Sequence, residues 1–142
     1  MLNKELIIQK CRENGACISE FTILVNSKTD KEFGEVLLDN LSWLKSENLI
    51  QYIDTRELIK YIGNNNKWIY NYCINVEDRK ELWTKLTEDY WIYYYCRFVE
   101  DRPELWSRLT EPEYIIRYCE YVEDRPELRI KLKKTRLKGL KC

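Results

Sequence analysis

Apolar side chains recur along most of the chain with the spacing of an α-helix. In residues 89–99 the apolar positions that follow an i, i+3, i+4, i+7 pattern are Ile92, Tyr95, Cys96 and Val99. This spacing places them on one helical face, whereas a strand would show strict alternation. The same pattern occurs 23 residues earlier and 23 residues later. The periodicity therefore predicts an all-α protein.

A charged motif, Val-Glu-Asp-Arg, follows each of these segments and marks an internal repeat. Its three copies begin the stretches 76–83, 99–106 and 122–129. In the second copy, Asp101 and Glu104 have the spacing of a capping box, which predicts a second, short helix capped by this aspartate. A fixed period of this length is typical of stacked repeats. The sequence therefore predicts short helix-turn-helix repeats of period 23, stacked as a small α-solenoid.

Further residues in each repeat are expected to face the core or to cap the next helix. Leu105 and Leu109 are expected to face the core from consecutive turns of the second helix. Thr110 and Glu113 repeat the capping-box spacing and are expected to open the next long helix. One cysteine per repeat is expected to be a small buried residue where helices approach closely. The equivalent leucines and the cysteines are Leu82, Leu86, Leu128 and Leu132, and Cys73, Cys96 and Cys119.

The N-terminal residues carry more divergent helical signals. Residues 2–13 fit a first helix. Residues 17–25 fit a strand by composition and a helix by spacing, and we predict a helix because no second strand candidate exists to pair with their backbone. Thr29 and Glu32 have capping-box spacing and open a short helix. Gly34 inside that helix is expected to allow close packing against a neighbour.

The predicted organisation is a single domain of residues 1–142. Residues 1–63 form its divergent helical part, residues 64–134 hold three regular α-α repeats, and residues 135–142 form a basic tail. The stretch Gly63-Asn64-Asn65-Asn66 is expected to be a loop or bend, because glycine and asparagine tolerate left-handed backbone conformations.

Composition narrows the class of protein. The chain has 24 basic residues, 24 acidic residues and no histidine, so bulk charge favours neither nucleic acid nor an acidic substrate. Nucleophilic sites that depend on histidine are excluded. The six cysteines include no closely spaced pair of the kind that binds zinc. No signal peptide or membrane-spanning stretch is recognisable. These features predict reduced thiols, no cofactor, no metal and a cytoplasmic location.

Two further groups of side chains are candidates for catalysis. Carboxylate pairs such as Glu100 and Asp101 recur in every copy, which favours structural caps and a charge ladder with the adjacent arginines over a catalytic pair. Cys142 is expected to be exposed, but no neighbouring residue in the sequence is a base for it. The sequence therefore predicts no enzyme activity.

The last fourteen residues are strongly basic. They contain seven lysines and arginines and no acidic residue, whereas the preceding 128 residues hold 17 basic and 24 acidic side chains. Such a segment can contact phosphates. Its alternative interpretation is a solvated helix, since positive charge is favourable near a helix C-terminus. The possible phosphate contacts are Lys131, Lys133, Lys134, Arg136 and Lys138.

Aromatic residues are abundant, with five tryptophans and eleven tyrosines. Tyr94 aligns with Arg117 in the next repeat, which marks this position as outward-facing. Trp106 aligns with Arg129, and Trp83 shares its position, so both tryptophans are expected to be partly exposed. Aromatic residues beside arginine are typical of binding hot spots and of single-strand stacking surfaces; an aromatic-rich core is the alternative. The predicted partner-binding residues are Trp83, Tyr94, Trp106 and Arg117.

The repeat, most clearly in residues 114–128, resembles short α-helical repeats of uncharacterised phage and prophage proteins. Residues 11–17 also resemble the opening of small phage-borne proteins. The resemblance implies a mobile-element origin and brings no known active site. Small proteins of that origin often resemble inhibitors of host defence, including anti-CRISPR proteins.

These observations predict a non-enzymatic helical-repeat protein that works by binding. The leading hypothesis is a phage-derived inhibitor that occludes a host defence protein, such as a CRISPR effector, in the host cytoplasm. The alternative is a nucleic-acid-binding protein that uses the basic tail and outward aromatics. Homo-oligomerisation through an uncapped end of the array is a third possibility. No membrane partner is expected.

Overall fold

Helices account for the regular structure of this computed structural model, which describes the backbone of residues 1–140 and the side chains of residues 1–135. Those residues form no strand, so the prediction of an all-α protein is confirmed. One 3-10 turn, Ile50–Tyr52, lies between α4 and α5. The helices are α1 Lys4–Glu13, α2 Ile18–Val25, α3 Asp30–Asp39, α4 Leu41–Ser46, α5 Thr55–Ile62, α6 Asn66–Asn75, α7 Lys80–Trp83, α8 Asp89–Phe98, α9 Pro103–Trp106, α10 Pro112–Tyr121 and α11 Pro126–Leu140.

The chain divides into two compact units, Met1–Asp78 and Arg79–Cys142. Each unit has a buried apolar core, of the kind that provides most of the stability of a small helical protein. The first core includes Phe33, Leu37, Leu38, Leu41, Leu44, Leu58 and Ile62, and the second includes Leu82, Leu86, Ile92, Tyr95, Leu105, Leu109 and Tyr118. Within residues 1–140, no helix combines the length and the apolar character needed to cross a bilayer.

The first unit follows its local sequence signals. The segment that fitted both helix and strand is helix α2, as predicted. The Thr29 side chain accepts the backbone N–H of Glu32 at 3.1 Å. In return, the Glu32 carboxylate accepts the backbone N–H of Lys28 at 2.8 Å. The two hydrogen bonds form the predicted capping box, except that Glu32 accepts the N–H of Lys28, the residue before the cap, instead of the N–H of the cap itself. They satisfy backbone N–H groups at the start of the helix, where the helix itself supplies no acceptor.

Gly34 lies where α3 packs against α5. A Cβ atom at Gly34 would stand 2.5 Å from a ring carbon of Tyr61, closer than van der Waals contact permits. The prediction that this glycine allows close packing is therefore confirmed. The predicted bend after α5 is also present, since Gly63 has a positive φ of 54° and the Asn65 side chain then caps α6 by accepting from the Trp68 N–H at 3.1 Å.

In the second unit the predicted apolar face of α8 is buried at three of its four positions, and Val99 is half-buried. Ile92, Tyr95 and Cys96 are all inside the core, and burial raises the pKa of the Cys96 thiol to about 12. Cys119 of α10 is half-buried. The predicted inward leucines Leu82, Leu86, Leu105, Leu109 and Leu128 are buried, whereas Leu132 is half-buried.

The capping boxes predicted for the short helices are not formed. Helices α7 and α9 have Arg79 and Arg102 as their N-cap residues, and neither helix shows a side-chain cap hydrogen bond. Each helix begins one residue later than predicted, so Asp101 lies one position before the cap. Its carboxylate instead binds Tyr118 and Arg125 of a later segment. The prediction failed because charge-assisted bonds to these tertiary partners replace a bond to the local backbone.

The start of α10 was also predicted wrongly. Its N-cap is Glu111 rather than Thr110, and the cap side chain makes no hydrogen bond. The buried carboxylate of Asp89 in α8 fills that role, because it accepts the backbone N–H groups of Thr110 at 2.8 Å and Glu111 at 2.6 Å. A carboxylate at a helix N-terminus is electrostatically favourable. Asp89 thereby fastens α8 to α10.

Candidate functional site

The four predicted partner-binding residues are not equivalent in the structure. Trp83 is 4% exposed and Trp106 is 9% exposed, so the prediction that both tryptophans are partly exposed is wrong. Tyr94 is half-buried and Arg117 is exposed, both on the side of their helices that the alignment marked as outward. Only the second pair therefore presents side-chain surface to a partner.

Trp83 is covered by an arginine from the next repeat. The guanidinium carbon of Arg102 lies 4.5 Å from the indole ring centroid, and the Trp83 and Tyr95 rings are 6.3 Å apart. The Nε of Arg102 donates to the Tyr95 hydroxyl at 2.8 Å. A cation held over an aromatic face is stabilised by the ring's quadrupole. The arginine stem also shields apolar surface from water, as long charged side chains commonly do.

The same arrangement recurs one period later around Trp106. Arg125 lies 5.1 Å from the Trp106 ring centroid, and its Nε donates to the Tyr118 hydroxyl at 3.2 Å. Burial raises the pKa of Tyr118, and the hydrogen bond that Arg125 donates to Tyr118 is the largest of the causes that raise the pKa of Arg125. Trp106 Nε1 has no acceptor among the described residues. Both tryptophans are therefore buried in the packing of the second unit.

A different set of aromatic side chains reaches solvent. Phe98 is 50% exposed, Tyr121 is 54% exposed, and Tyr90 is also exposed. They lie on α8 and α10 together with the half-buried Tyr94. Two exposed arginines, Arg97 and Arg117, accompany them. We call this set the aromatic–arginine surface, which consists of Tyr90, Tyr94, Arg97, Phe98, Arg117 and Tyr121.

Arg97 is the centre of the aromatic–arginine surface. Its guanidinium carbon lies 4.8 Å from the Phe98 ring centroid and 4.7 Å from the Tyr121 ring centroid. It also donates to the hydroxyl of the buried Tyr93 at 3.1 Å. Tyr94 extends the surface, since its ring stacks on Phe98 at 5.9 Å and 15°. The exposed rings therefore pack against Arg97 and against one another.

Arg117 and Tyr90 complete the surface at its other end. Arg117 donates to Glu113 at 3.0 Å and lies 5.8 Å from the Tyr114 ring centroid. Tyr90 lies 4.8 Å from Tyr94 and 6.0 Å from Tyr114. Desolvation and the neighbouring Tyr94 raise the pKa of Tyr90. Its hydroxyl, like that of any tyrosine, is protonated at neutral pH and is able to donate a hydrogen bond.

The predicted phosphate contacts have different environments. The Nζ of Lys131 donates to the Ser107 carbonyl at 2.9 Å and to the Leu109 carbonyl at 2.5 Å. Arg108, one period earlier, binds the carbonyls of Thr84 and Leu86 in the same way. Lys131 thus acts as a link to the end of a short helix. Lys133 and Lys134 are exposed, whereas the side chains of Arg136 and Lys138, and all of Cys142, lie outside the described residues.

Sequence analysis did not identify Arg97, Phe98 and Tyr121 as site residues. A signal for all three was present, because Arg97 and Phe98 follow Tyr94 by three and four residues and Tyr121 follows Arg117 by four. Residues three and four apart share a helical face, so the outward position marked by Tyr94 extends to all three. The position of Arg97 between two rings had no such signal, since it depends on the packing of α8 against α10.

No family model matches this chain, and neither the curated proteins nor the solved structures include a match to it. The described residues contain no group of three or more histidine, cysteine, aspartate or glutamate side chains arranged to hold a metal ion. The case for a function therefore rests on the chemistry of the aromatic–arginine surface itself.

Proposed function

We propose that the protein is a non-enzymatic binding protein whose aromatic–arginine surface docks onto a partner protein. The observation that carries the proposal is Arg97, held between the half-exposed rings of Phe98 and Tyr121. Aromatic and arginine side chains dominate the binding energy of protein interfaces. They expose large apolar area and can still form directional hydrogen bonds.

Preorganisation adds to the case for this surface. Immobilising a flexible side chain on binding costs about 0.5–1.5 kcal/mol. Here the ring and guanidinium positions are already restricted by stacking, and Arg97 is tied to Tyr93 by a hydrogen bond. The side chains of this surface therefore lose less conformational entropy when a partner binds, which favours tight binding to a complementary face.

The charges on this surface favour a protein partner over a nucleic acid. Arg117 is paired with Glu113, and Arg97 is engaged with Tyr93 and two rings. Affinity for a nucleic-acid backbone comes mainly from cations that neutralise phosphates. A surface whose arginines already have protein partners supplies stacking area and directed donors rather than a track of available positive charge.

The scaffold for this surface is proposed to be a small stack of α-α repeats. Two kinds of contact recur at the sequence period of 23 and support this. Arg102 lies over Trp83, and Arg125 lies over Trp106. Arg108 and Lys131 each donate hydrogen bonds to backbone carbonyls that follow the preceding short helix. In a solenoid each repeat contacts its neighbours through the same interface. Successive α8 and α10 then present equivalent positions on one side, which is how Tyr94 and Arg117 come to share a surface.

The experiment that tests the proposal compares two double variants. Phe98→Ala with Tyr121→Ala removes the rings that enclose Arg97, while Ile18→Ala with Ile23→Ala trims exposed apolar area elsewhere. Tagged wild type and both variants are used to capture proteins from nuclease-treated host lysate, and circular dichroism verifies folding. We expect a protein that is bound by the wild type and the control and lost with the ring variant. Equal capture by all three would contradict the proposal.

Nucleic-acid binding is the second candidate function, and the exposed Lys133 and Lys134 favour it. It predicts that affinity for an oligonucleotide falls steeply as salt is raised, because each phosphate contact releases counterions. Lys133→Gln with Lys134→Gln is then expected to reduce the salt dependence. Binding that is absent, or indifferent to salt, argues against this function.

The resemblance to phage repeats supports a more specific form of the main proposal. In that form the protein is an inhibitor that acts in the host cytoplasm by occluding a defence protein such as a CRISPR effector. The test is a plasmid-interference assay in cells with an active CRISPR system. Wild type is expected to restore plasmid survival and the Phe98→Ala, Tyr121→Ala variant to lose that effect. Unchanged interference removes this form of the proposal.

A further inference from the structure

The α10–α11 side of the second unit is open at positions that are closed one repeat earlier. Tyr93 is 1% exposed, whereas its equivalent 23 residues later, Ile116, is 42% exposed. Tyr93 is covered by α10, since its ring lies 6.2 Å from that of Tyr114. Two further positions show the same change, from the buried Cys96 and Leu109 to the half-buried Cys119 and Leu132.

These uncovered apolar side chains line a groove between α10 and α11, which also pack against each other. The two banks of the groove carry opposite charges. Glu120 lies on the α10 bank, and Arg129 and Lys133 lie on the α11 bank. Both cations are exposed, and Arg129 is paired with Asp124. The groove therefore combines an apolar floor with one acidic and one basic edge.

We propose that this α10–α11 groove is the interface of a homodimer. A two-fold axis along the groove places α10 of one copy opposite α11 of the other, and such a contact uses the same patch on both chains. The acidic bank of each copy, which carries Glu120, then faces the basic bank of the other, which carries Lys133. Ile116 and Leu132 are covered at the centre of the contact, as their equivalents are covered one repeat earlier.

A second copy fits this groove better than a partner whose charge has one sign. A partner of single sign would oppose like charges along one bank, which weakens association. The groove's own two-fold image satisfies both banks at once. The proposal does not depend on the aromatic–arginine surface, because Tyr94, Phe98 and Tyr121 do not line the groove.

The test uses charge reversals whose effects cancel in a mixture. Glu120→Lys places two lysines opposite each other across the two-fold axis, and Lys133→Glu places two glutamates there. In an equimolar mixture of the two variants, both pairs regain opposite signs. Both positions are exposed, so neither change disturbs the core, and circular dichroism verifies folding. Sedimentation velocity over a concentration series measures the dimer dissociation constant.

The wild type is expected to dimerise, each single variant to bind itself at least about tenfold more weakly, and the mixture to recover most of the lost affinity. Ile116→Lys, which buries a charge at the centre, is expected to abolish the dimer. The matched control Ile23→Lys changes an apolar side chain that is similarly exposed in the first unit and leaves the dimer intact. A wild type that is monomeric throughout, or a mixture as weak as its components, overturns the proposal.

Discussion

The hydroxyl of Tyr118 donates a 2.7 Å hydrogen bond to the carboxylate of Asp101, which lies 17 residues earlier in the chain. Arg125 completes the cluster, because its guanidinium binds the same carboxylate at 2.8 Å. Tyr118 is fully buried, and a buried hydroxyl requires a partner. Asp101 is therefore a tertiary connection between the segment before α9 and residues in and after α10.

Asp101→Ala is expected to destabilise the protein. The change leaves the buried Tyr118 hydroxyl without its carboxylate acceptor, and an unsatisfied buried polar group costs about 1–3 kcal/mol. Urea denaturation followed by far-UV circular dichroism measures the free energy of unfolding. The matched control is Asp124→Ala, whose carboxylate binds the exposed Arg129, and it should leave that free energy nearly unchanged. Equal effects of the two substitutions would show that Asp101 acts only as a surface charge.

Trp83 and Trp106 are expected to contribute to the stability of the folded protein, because both rings are buried. Trp106→Ala removes a buried ring and should cost about 3–5 kcal/mol. Trp106→Phe should cost clearly less, since the indole N–H has no acceptor within the described part of the chain and its loss breaks no hydrogen bond. Chemical denaturation of both variants measures the difference. If Trp106→Phe were as damaging as Trp106→Ala, the indole nitrogen would have a partner.

Gly34→Ala is expected to be destabilising although alanine is the better helix former. Alanine gains roughly 1 kcal/mol of helix propensity over glycine. Its Cβ, however, would stand 2.5 Å from a Tyr61 ring carbon, and overpacking of this kind costs about 1–3 kcal/mol. A lower thermal midpoint is the expected readout. In the Tyr61→Ala background the same change should become stabilising, and a persistent loss there would place the strain elsewhere.

Cys17 and Cys96 are expected to react with iodoacetamide at very different rates. The Ser19 hydroxyl and backbone N–H groups lower the pKa of the exposed Cys17 from 9.0, so its thiolate is already present in part at mildly alkaline pH. Burial raises the pKa of Cys96 to about 12, and its thiol stays protonated and shielded. Since the thiolate is the nucleophile, peptide mass spectrometry at pH 8 should find Cys17 alkylated first and Cys96 protected.

The pH dependence of the Cys17 reaction provides an internal check. Its rate should rise with pH and reach half its maximum below 9.0, the ordinary value for a thiol. Ser19→Ala removes the hydroxyl that makes the largest contribution and should move that midpoint upward. Rapid alkylation of Cys96 in the native protein would mean that the core around α8 opens readily.

Spacing along the chain determined which side chains share a helical face. The periodicity predicted the buried face of α8, because residues three and four apart on a helix lie on the same side whatever surrounds them. The cap at Thr29 was predictable for the same reason, since its hydrogen bond to Glu32 joins residues within one turn. The outward positions of Tyr94 and Arg117 also followed from comparison of the repeats.

Tertiary contacts decided what that periodicity left open. Trp83 is buried because Arg102, 19 residues later, lies over its ring. Local sequence patterns do not predict this contact. Asp101 serves Tyr118 instead of the adjacent helix for a similar reason. The sequence by itself therefore determined the helices and their apolar faces, because these depend on neighbours within a few residues. The choice between Trp83 and Phe98 as exposed aromatics belonged to the tertiary structure, because exposure depends on which distant side chain lies above each ring.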